Sequence, residues 1–225
     1  MQVSNCEFPD DVYIDVGNDV WLRRIEDSRA KIGITTVLSF LAGKINSVKL
    51  REDEISIVRG QTVATIESGK YFGPVRSPVS GKLLRFNNEL TTRPWLLNKS
   101  PYDEGWMLEL ESFEKNELSR LGRSSEIKDK LQSRIEELSV HCFKVMPDEE
   151  MVSIRAECST TLANLNKVLE DAPTGHIVHL VTDEPTAEIE MIRWSDQTKN
   201  EVVESRREGN LFHFIVEKKK EPSQK

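Results

Sequence analysis

At 225 residues the chain is longer than one compact domain usually runs, so two domains are expected. Its 37% hydrophobic and 31% charged residues fit domains with modest cores in water, and no apolar run approaches the roughly 20 residues of a membrane-spanning helix. A formal charge of −7 argues against the basic surface of a nucleic-acid binder, so neither nucleic acid nor membrane is an expected partner. Met1–Asp10 lacks the basic-then-apolar layout of a signal peptide, which makes cytoplasmic placement the expectation.

From Tyr13 to about Leu110, short β-type runs alternate with turn residues. Lys31–Thr35, Ile55–Arg59, Thr62–Ile66, Val75–Val79 and Lys82–Phe86 read as strands, and Thr36–Leu41 as a helical turn or short helix. Past Glu111 the composition shifts to Glu, Lys, Arg and Leu. Ile127, Leu131, Ile135, Leu138 and Cys142 recur on one face of a helix expected over Ser125–Phe143, with Ser124 as its N-cap. After Pro147, strands at Met151–Ala156 and Ile177–Val181 alternate with helices at Thr160–Leu169 and Ala187–Gln197. A hairpin of Glu201–Ser205 and Leu211–Glu217 closes the pattern, giving β-α-β-α-β-β, a small two-layer α/β domain. The run Lys218–Lys220, followed by Glu221, reads as a solvated tail.

Three cysteines, Cys6, Cys142 and Cys158, are an odd number at wide spacing and form no disulfide framework. Cys6 is expected in a mobile N-terminus and Cys142 packed on the apolar helix face. His141, His176, His179 and His213 lack ligand spacing, so they read as structural and no metal site is expected. No Ser-His-Asp set, paired-carboxylate motif or phosphate loop marks an enzyme.

The most informative stretch is Gln61–Gly81, where two strand-like segments flank a polar turn and Lys70 sits at its tip beside Gly69. A swinging-arm carrier needs a lysine whose amine a ligase can reach and acylate, projecting away from its domain. A tight hairpin provides that, although most turn lysines only keep a surface soluble. Context separates the two readings. Glu67-Ser68-Gly69-Lys70 followed by Ser77-Pro78-Val79-Ser80-Gly81 resembles the lipoylation site of glycine-cleavage H proteins. Asn98-Lys-Ser-Pro-Tyr-Asp-Glu-Gly-Trp106 is similar to that family's Asn-x-x-Pro-Tyr-x-x-Gly-Trp segment, and Val20-Trp21 and Ile32-Gly33-Ile34-Thr35 to its early signals. The resemblance covers roughly residues 8–112. It implies a β-barrel-sandwich hybrid with lipoate joined to the Lys70 Nε as an amide, hence a lipoate ligase or lipoyl transferase as partner. Trp21, Tyr102 and Trp106 are expected in the core and Gly69, Gly73 and Gly81 in turn geometry.

The turn departs from the glycine-cleavage pattern. Those proteins usually carry Val or Thr before the lysine and Ala after it, whereas this chain has Gly69 before and Tyr71-Phe72-Gly73-Pro74 after. Asn18-Asp19 stand where a His often precedes the early Trp. The turn looks closer to the lipoate-binding proteins of heterodisulfide-reductase-like sulfur oxidation, whose arm carries sulfur intermediates in place of an aminomethyl group. That resemblance implies a heterodisulfide-reductase-like complex as partner, with glycine cleavage enzymes as the alternative and an unlipoylated interaction or regulatory module as a further one.

The second domain adds its own resemblance. Cys158, between a strand and a helix, falls where TusA-type sulfur carriers place the cysteine of a Cys-Pro-x-Pro motif that begins the first helix. A cysteine there meets unpaired amide donors and the positive end of the helix dipole, which favours its thiolate. Both prolines are replaced, by Ser159 and Thr161, so Cys158 reads either as a sulfur carrier or as a structural thiol. The expected layout is thus an H-protein-like lipoyl domain over 1–112, a helical connector over 113–145, a TusA-like α/β domain over 146–219 and a tail over 220–225.

Overall fold

The computed structural model describes residues 1–51, 55–111 and 113–219, so the expected tail over 220–225 lies outside the described residues. The chain divides into two compact units, the first ending at Cys142 and the second beginning at Phe143. Among the described residues no helix is long and apolar enough to cross a membrane.

In the first unit, β1 (Gln2–Val3) and β2 (Cys6–Glu7) form a small N-terminal hairpin. Next come β3 (Val12–Asp15), β4 (Val20–Arg24), β5 (Arg29–Ile34), α1 (Thr36–Ala42), β6 (Ile45–Leu50) and β7 (Ser56–Ile57). After them run β8 (Thr62–Ser68), β9 (Phe72–Arg76), β10 (Gly81–Phe86), α2 (Glu89–Thr92), α3 (Leu96–Lys99) and β11 (Leu108–Glu111). The short β12 (Gly122–Arg123) and α4 (Lys128–Glu137) complete the unit. The main sheet has the order β12-β3-β4-β5-β11-β10-β7, and β6-β8-β9 form a second. Alternation along β4 and β5 turns Val20, Leu22, Ile32 and Ile34 into one core with Val63, Ala64, Ile66 and Val75 of the smaller sheet. Two sheets sharing a core in this way form the expected barrel-sandwich hybrid.

The opposite face of β3 and β4 is covered by α4. Its stripe Ile127, Leu131, Ile135 and Leu138 packs with Val12, Ile14, Trp21 and the N-terminal hairpin. The helix is shorter than Ser125–Phe143, and Ser124 does not cap it: the Ser124 hydroxyl, fully buried, donates to Pro9 O at 2.6 Å. The cysteine expectations are also corrected. Cys6 is not in a mobile terminus but fully buried, and it is joined to Cys142 by a disulfide across 136 positions. Cys142 lies past the helix end, where Ser139 turns the chain through φ 50° toward the N-terminal hairpin. Pairing over such a distance depends on two segments meeting in space, which spacing does not encode.

The second unit runs β13 (Glu149–Ser153), α5 (Cys158–Asp171), β14 (Ile177–Thr182), α6 (Ala187–Thr198), β15 (Glu201–Glu208) and β16 (Leu211–Glu217). The parallel β13–β14 pair and the antiparallel β15–β16 hairpin join in the order β13-β14-β16-β15. The two helices cover one sheet face through Leu165, Leu169, Met191 and Trp194, packed on Val178, Leu180, Phe212, Phe214 and Val216. On the other face, His179 and His213 stack and share a hydrogen bond of 3.0 Å.

Candidate functional site

Lys70 stands at the tip of the β8–β9 hairpin, in which Glu67 pairs with Phe72 and Ile66 with Gly73. Ser68 sets the tip. Its hydroxyl accepts from the amides of Lys70 (3.2 Å) and Tyr71 (3.1 Å) and donates to Ala42 O at 2.5 Å, tying the turn to the end of α1. The stem of Lys70 lies against Gly43, where an added Cβ would come within 2.6 Å of the lysine Cε. Gly43 also holds φ +69°, a conformation that glycine adopts without strain. The side chain of Lys70 is exposed, and its amine has no hydrogen-bond or ion-pair partner among the described residues.

The other motif segments build the wall behind this tip. Asn98 donates to Ser39 O and Gly43 O and accepts from the Ile45 amide, so one side chain fixes both the exit from α1 and the start of β6. Thr35 caps α1, accepting from Leu38 N, and the Tyr102 hydroxyl accepts from the next amide, that of Thr36. Burial pushes the Tyr102 hydroxyl up to about 12, which keeps it a neutral phenol. Trp21 lies flat over Gly33, where a Cβ would be 2.6 Å from the indole, and donates to Pro101 O at 3.1 Å. Trp21 and Tyr102 are core residues as expected. Trp106 is only half-buried, its ring flanked by the Lys31 ammonium at 4.8 Å and the Arg85 guanidinium at 4.9 Å.

Sequence reasoning missed one pair beside the hairpin. Asp19, buried on the β3–β4 turn, pairs with Arg134 of α4 at 2.7 Å, and burial raises its carboxyl from its ordinary value despite that cation. The hydroxyl of Tyr71 is also raised, by burial first and then by the Asp19 charge. The two partners lie 115 positions apart, and no local pattern links them.

The glycine expectation divides three ways. At Gly73 a Cβ would fall 2.4 Å from the Tyr71 phenol oxygen, so the ring would have to move; at Gly81 it would stand 3.1 Å from Phe113 Cα, tight but within a few tenths of an ångström of ordinary contact. Gly69 has no left-handed φ, and a Cβ there would meet nothing within 4 Å, so neither a positive φ nor a close neighbour requires glycine there.

Cys158 opens α5 as expected, but its surroundings oppose the thiolate. It is half-buried, and its thiol is pushed up by burial and then by Glu190 and Glu184. Thr161, where the second proline of a TusA-type motif would fall, is buried and shares a 2.6 Å hydrogen bond with Ser153 of β13.

Residues 12–134 match the family model described as glycine cleavage H-protein. The chain belongs to that family. Residues 155–218 match the model described as sulfurtransferase TusA, which agrees with the β-α-β-α-β-β order of the second unit. Among H-protein relatives, a probable glycine cleavage system H protein 2 from Sulfolobus acidocaldarius is 36% identical over 63% of this chain and 97% of its own. Glycine cleavage system H protein 2 from Aquifex aeolicus is 34% identical over 63% of this chain and 88% of its own. A solved structure, of a glycine cleavage system H protein from Mycobacterium marinum, covers 59% of this chain and 100% of its own at 19% identity and a TM-score of 0.47. H proteins are lipoyl carriers that hold lipoate covalently on a lysine, and the chain is an H-protein-like carrier fused to a TusA-like domain.

Proposed function

We propose that Lys70 is the lipoyl attachment site and that the chain is a non-catalytic carrier in the cytoplasm. The observation that carries this reading is an exposed amine, unpartnered among the described residues, at a hairpin tip that Ser68 ties to α1. The residues fit the group: the Lys70 side chain is exposed, so an acyl chain can join its amine without displacing the core. When attached, lipoate supplies a dithiolane that takes up and releases a cargo group. The chain's part is to hold the lysine stem against Gly43 and present the amine outward. We assign the lipoyl-bearing part to 1–112 and the TusA-like domain to 146–219; the connector between them, 113–145, packs its helix α4 onto the first unit, which runs to Cys142.

The cargo we propose is sulfur, exchanged with a heterodisulfide-reductase-like complex. Support comes from the Gly69-Lys70-Tyr71-Phe72 turn, which departs from the glycine-cleavage pattern, and from the fused TusA-like domain. Cys158 is the second candidate handle, held as a thiol at neutral pH until a partner changes its surroundings. The names of the relatives favour a second reading, in which glycine cleavage enzymes load an aminomethyl group.

Mass spectrometry of protein from its own host is expected to place one lipoyl increment on Lys70, absent in Lys70→Arg. Incubation of the lipoylated chain with a persulfide donor is then expected to add sulfur mass. An unmodified Lys70 in lipoylating cells would overturn the carrier reading. Efficient aminomethyl loading by glycine cleavage enzymes without sulfur loading would overturn the cargo.

A further inference from the structure

The hairpin tip contains residues that the fold explains and residues that it does not. Ser68 is fixed by three hydrogen bonds. Tyr71 is half-buried against the core, and Gly73 is small because the Tyr71 ring covers it. Once these are accounted for, Gly69 and Phe72 remain beside Lys70. Gly69 has neither a left-handed φ nor a close neighbour, so the fold admits any side chain there. Phe72 is 72% exposed on the solvent side of β9, across from Glu67, and belongs to no core cluster. A single exposed apolar residue is ordinary by itself. This one is an aromatic two positions from the lysine, and the position on the lysine's other side is bare.

We infer that Gly69 and Phe72 are specificity determinants read by the enzyme that acylates Lys70: an apolar pocket takes the Phe72 ring, and a wall closes over Gly69. The inference rests on the reading of Lys70 as the lipoylated residue. The geometry selects the acylating enzyme over a partner that acts later. In acylation the lysine amine attacks the carbonyl carbon of an acyl-adenylate; the N–C bond forms, AMP leaves with the electron pair of the broken C–O bond, and the amine gives up a proton. The amine must therefore enter the active site itself, within one lysine side chain of the hairpin, and the enzyme's surface covers the residues on both sides. A partner that works on the far end of the arm stands a full arm's length away and has no need to touch the tip. Aromatic side chains are enriched at the buried centres of such contacts, and a few of them carry most of the binding energy.

The test uses the full chain in unlipoylated form, the lipoate–protein ligase of its own host, lipoate and ATP with magnesium. Phe72→Ala and Gly69→Val are each expected to lower kcat/KM for the protein substrate by about tenfold or more, the size of one lost anchor. Phe72→Tyr is expected to keep most of the rate. Acetylation of Lys70 by a small N-hydroxysuccinimide ester, which reads amine exposure alone, should be unchanged in all three variants, as should Tm. Equal ligase rates for wild type, Phe72→Ala and Gly69→Val would overturn the inference and leave the carrier reading intact. A parallel fall in ester acetylation would also overturn it, because the two residues would then act on the hairpin and not on the enzyme. A wild-type Lys70 that the ligase never acylates would remove the carrier reading, and this inference with it.

Discussion

Each unit carries one candidate nucleophile, Lys70 in the first and Cys158 in the second, and their surroundings differ in kind. Around Lys70 the chain removes obstacles: Ser68 absorbs the turn's amides, Gly43 makes room for the stem, and nothing pairs with the amine among the described residues. Around Cys158 the chain adds resistance: partial burial and two glutamates hold the proton on sulfur. Carrying a candidate nucleophile is thus separate from preparing it for chemistry. The hairpin retains what an acceptor needs, whereas the start of α5 retains the cysteine without an electrostatic setting that would ionise it.

The largest effect that would sharpen this contrast concerns the other two cysteines, which are oxidised and buried within the first unit. In a chain-entropy picture a crosslink across 136 positions contributes up to about 5 kcal/mol, and removal of native disulfides usually costs roughly 2–5 kcal/mol. Thermal unfolding of Cys6→Ser, or of wild type under strong reductant, should show the first unit melting earlier, with the second unit's transition unmoved. A reduced chain with unchanged unfolding would remove the crosslink from the account of how α4 is held.

Next in size is the brace under Lys70. Ser68→Ala leaves the amides of Lys70 and Tyr71 without their acceptor and Ala42 O without its donor. A loss of roughly 1–3 kcal/mol is expected, together with faster hydrogen exchange at residues 69–71. If exchange there is as fast in wild type as in the variant, the tip is not preorganised, and the two nucleophiles differ less than their surroundings imply.

The hairpin around Lys70 was legible because period-2 alternation and glycine punctuation are local: β8 starts at Thr62 as expected, while β9 is Phe72–Arg76, three residues before the expected Val75–Val79. The apolar stripe of α4 was legible for the same reason. What stayed hidden depends on distant segments meeting. Asp19 finds Arg134, Ser124 finds Pro9 O, and Cys6 finds Cys142, each more than a hundred positions away. The site divides along the same line. The hairpin position of Lys70 was readable from its neighbours, whereas Asn98 and Gly43 acquire their contacts only once α1 and the 98–106 segment pack together. The thiolate expectation for Cys158 considered only its helix, and the acids that oppose it stand before and on α6.

The smallest effect bears on the second half of the contrast, because it asks whether Cys158 is held back by its neighbours or by burial alone. Glu190→Gln combined with Glu184→Gln removes the two charges that raise the thiol and leaves the burial in place. Each half unit by which the pKa falls increases the thiolate fraction at neutral pH about threefold, and alkylation by iodoacetamide should rise accordingly. The stability of the second unit gives an independent readout with a definite sign. A thiol whose folded pKa lies above its ordinary value of 9.0 keeps its proton in the native state after the unfolded chain has lost it. Native stability is then complete below about pH 9 and declines as pH climbs from there toward the folded value. Cys158→Ser should flatten that decline, and the double Gln variant should shrink it. An alkylation rate and an alkaline profile both unchanged in the double variant would mean that burial alone raises the thiol. Lys70 and Cys158 would then differ in exposure and not in charge, and a partner would have to open the start of α5, not neutralise it, before sulfur could pass.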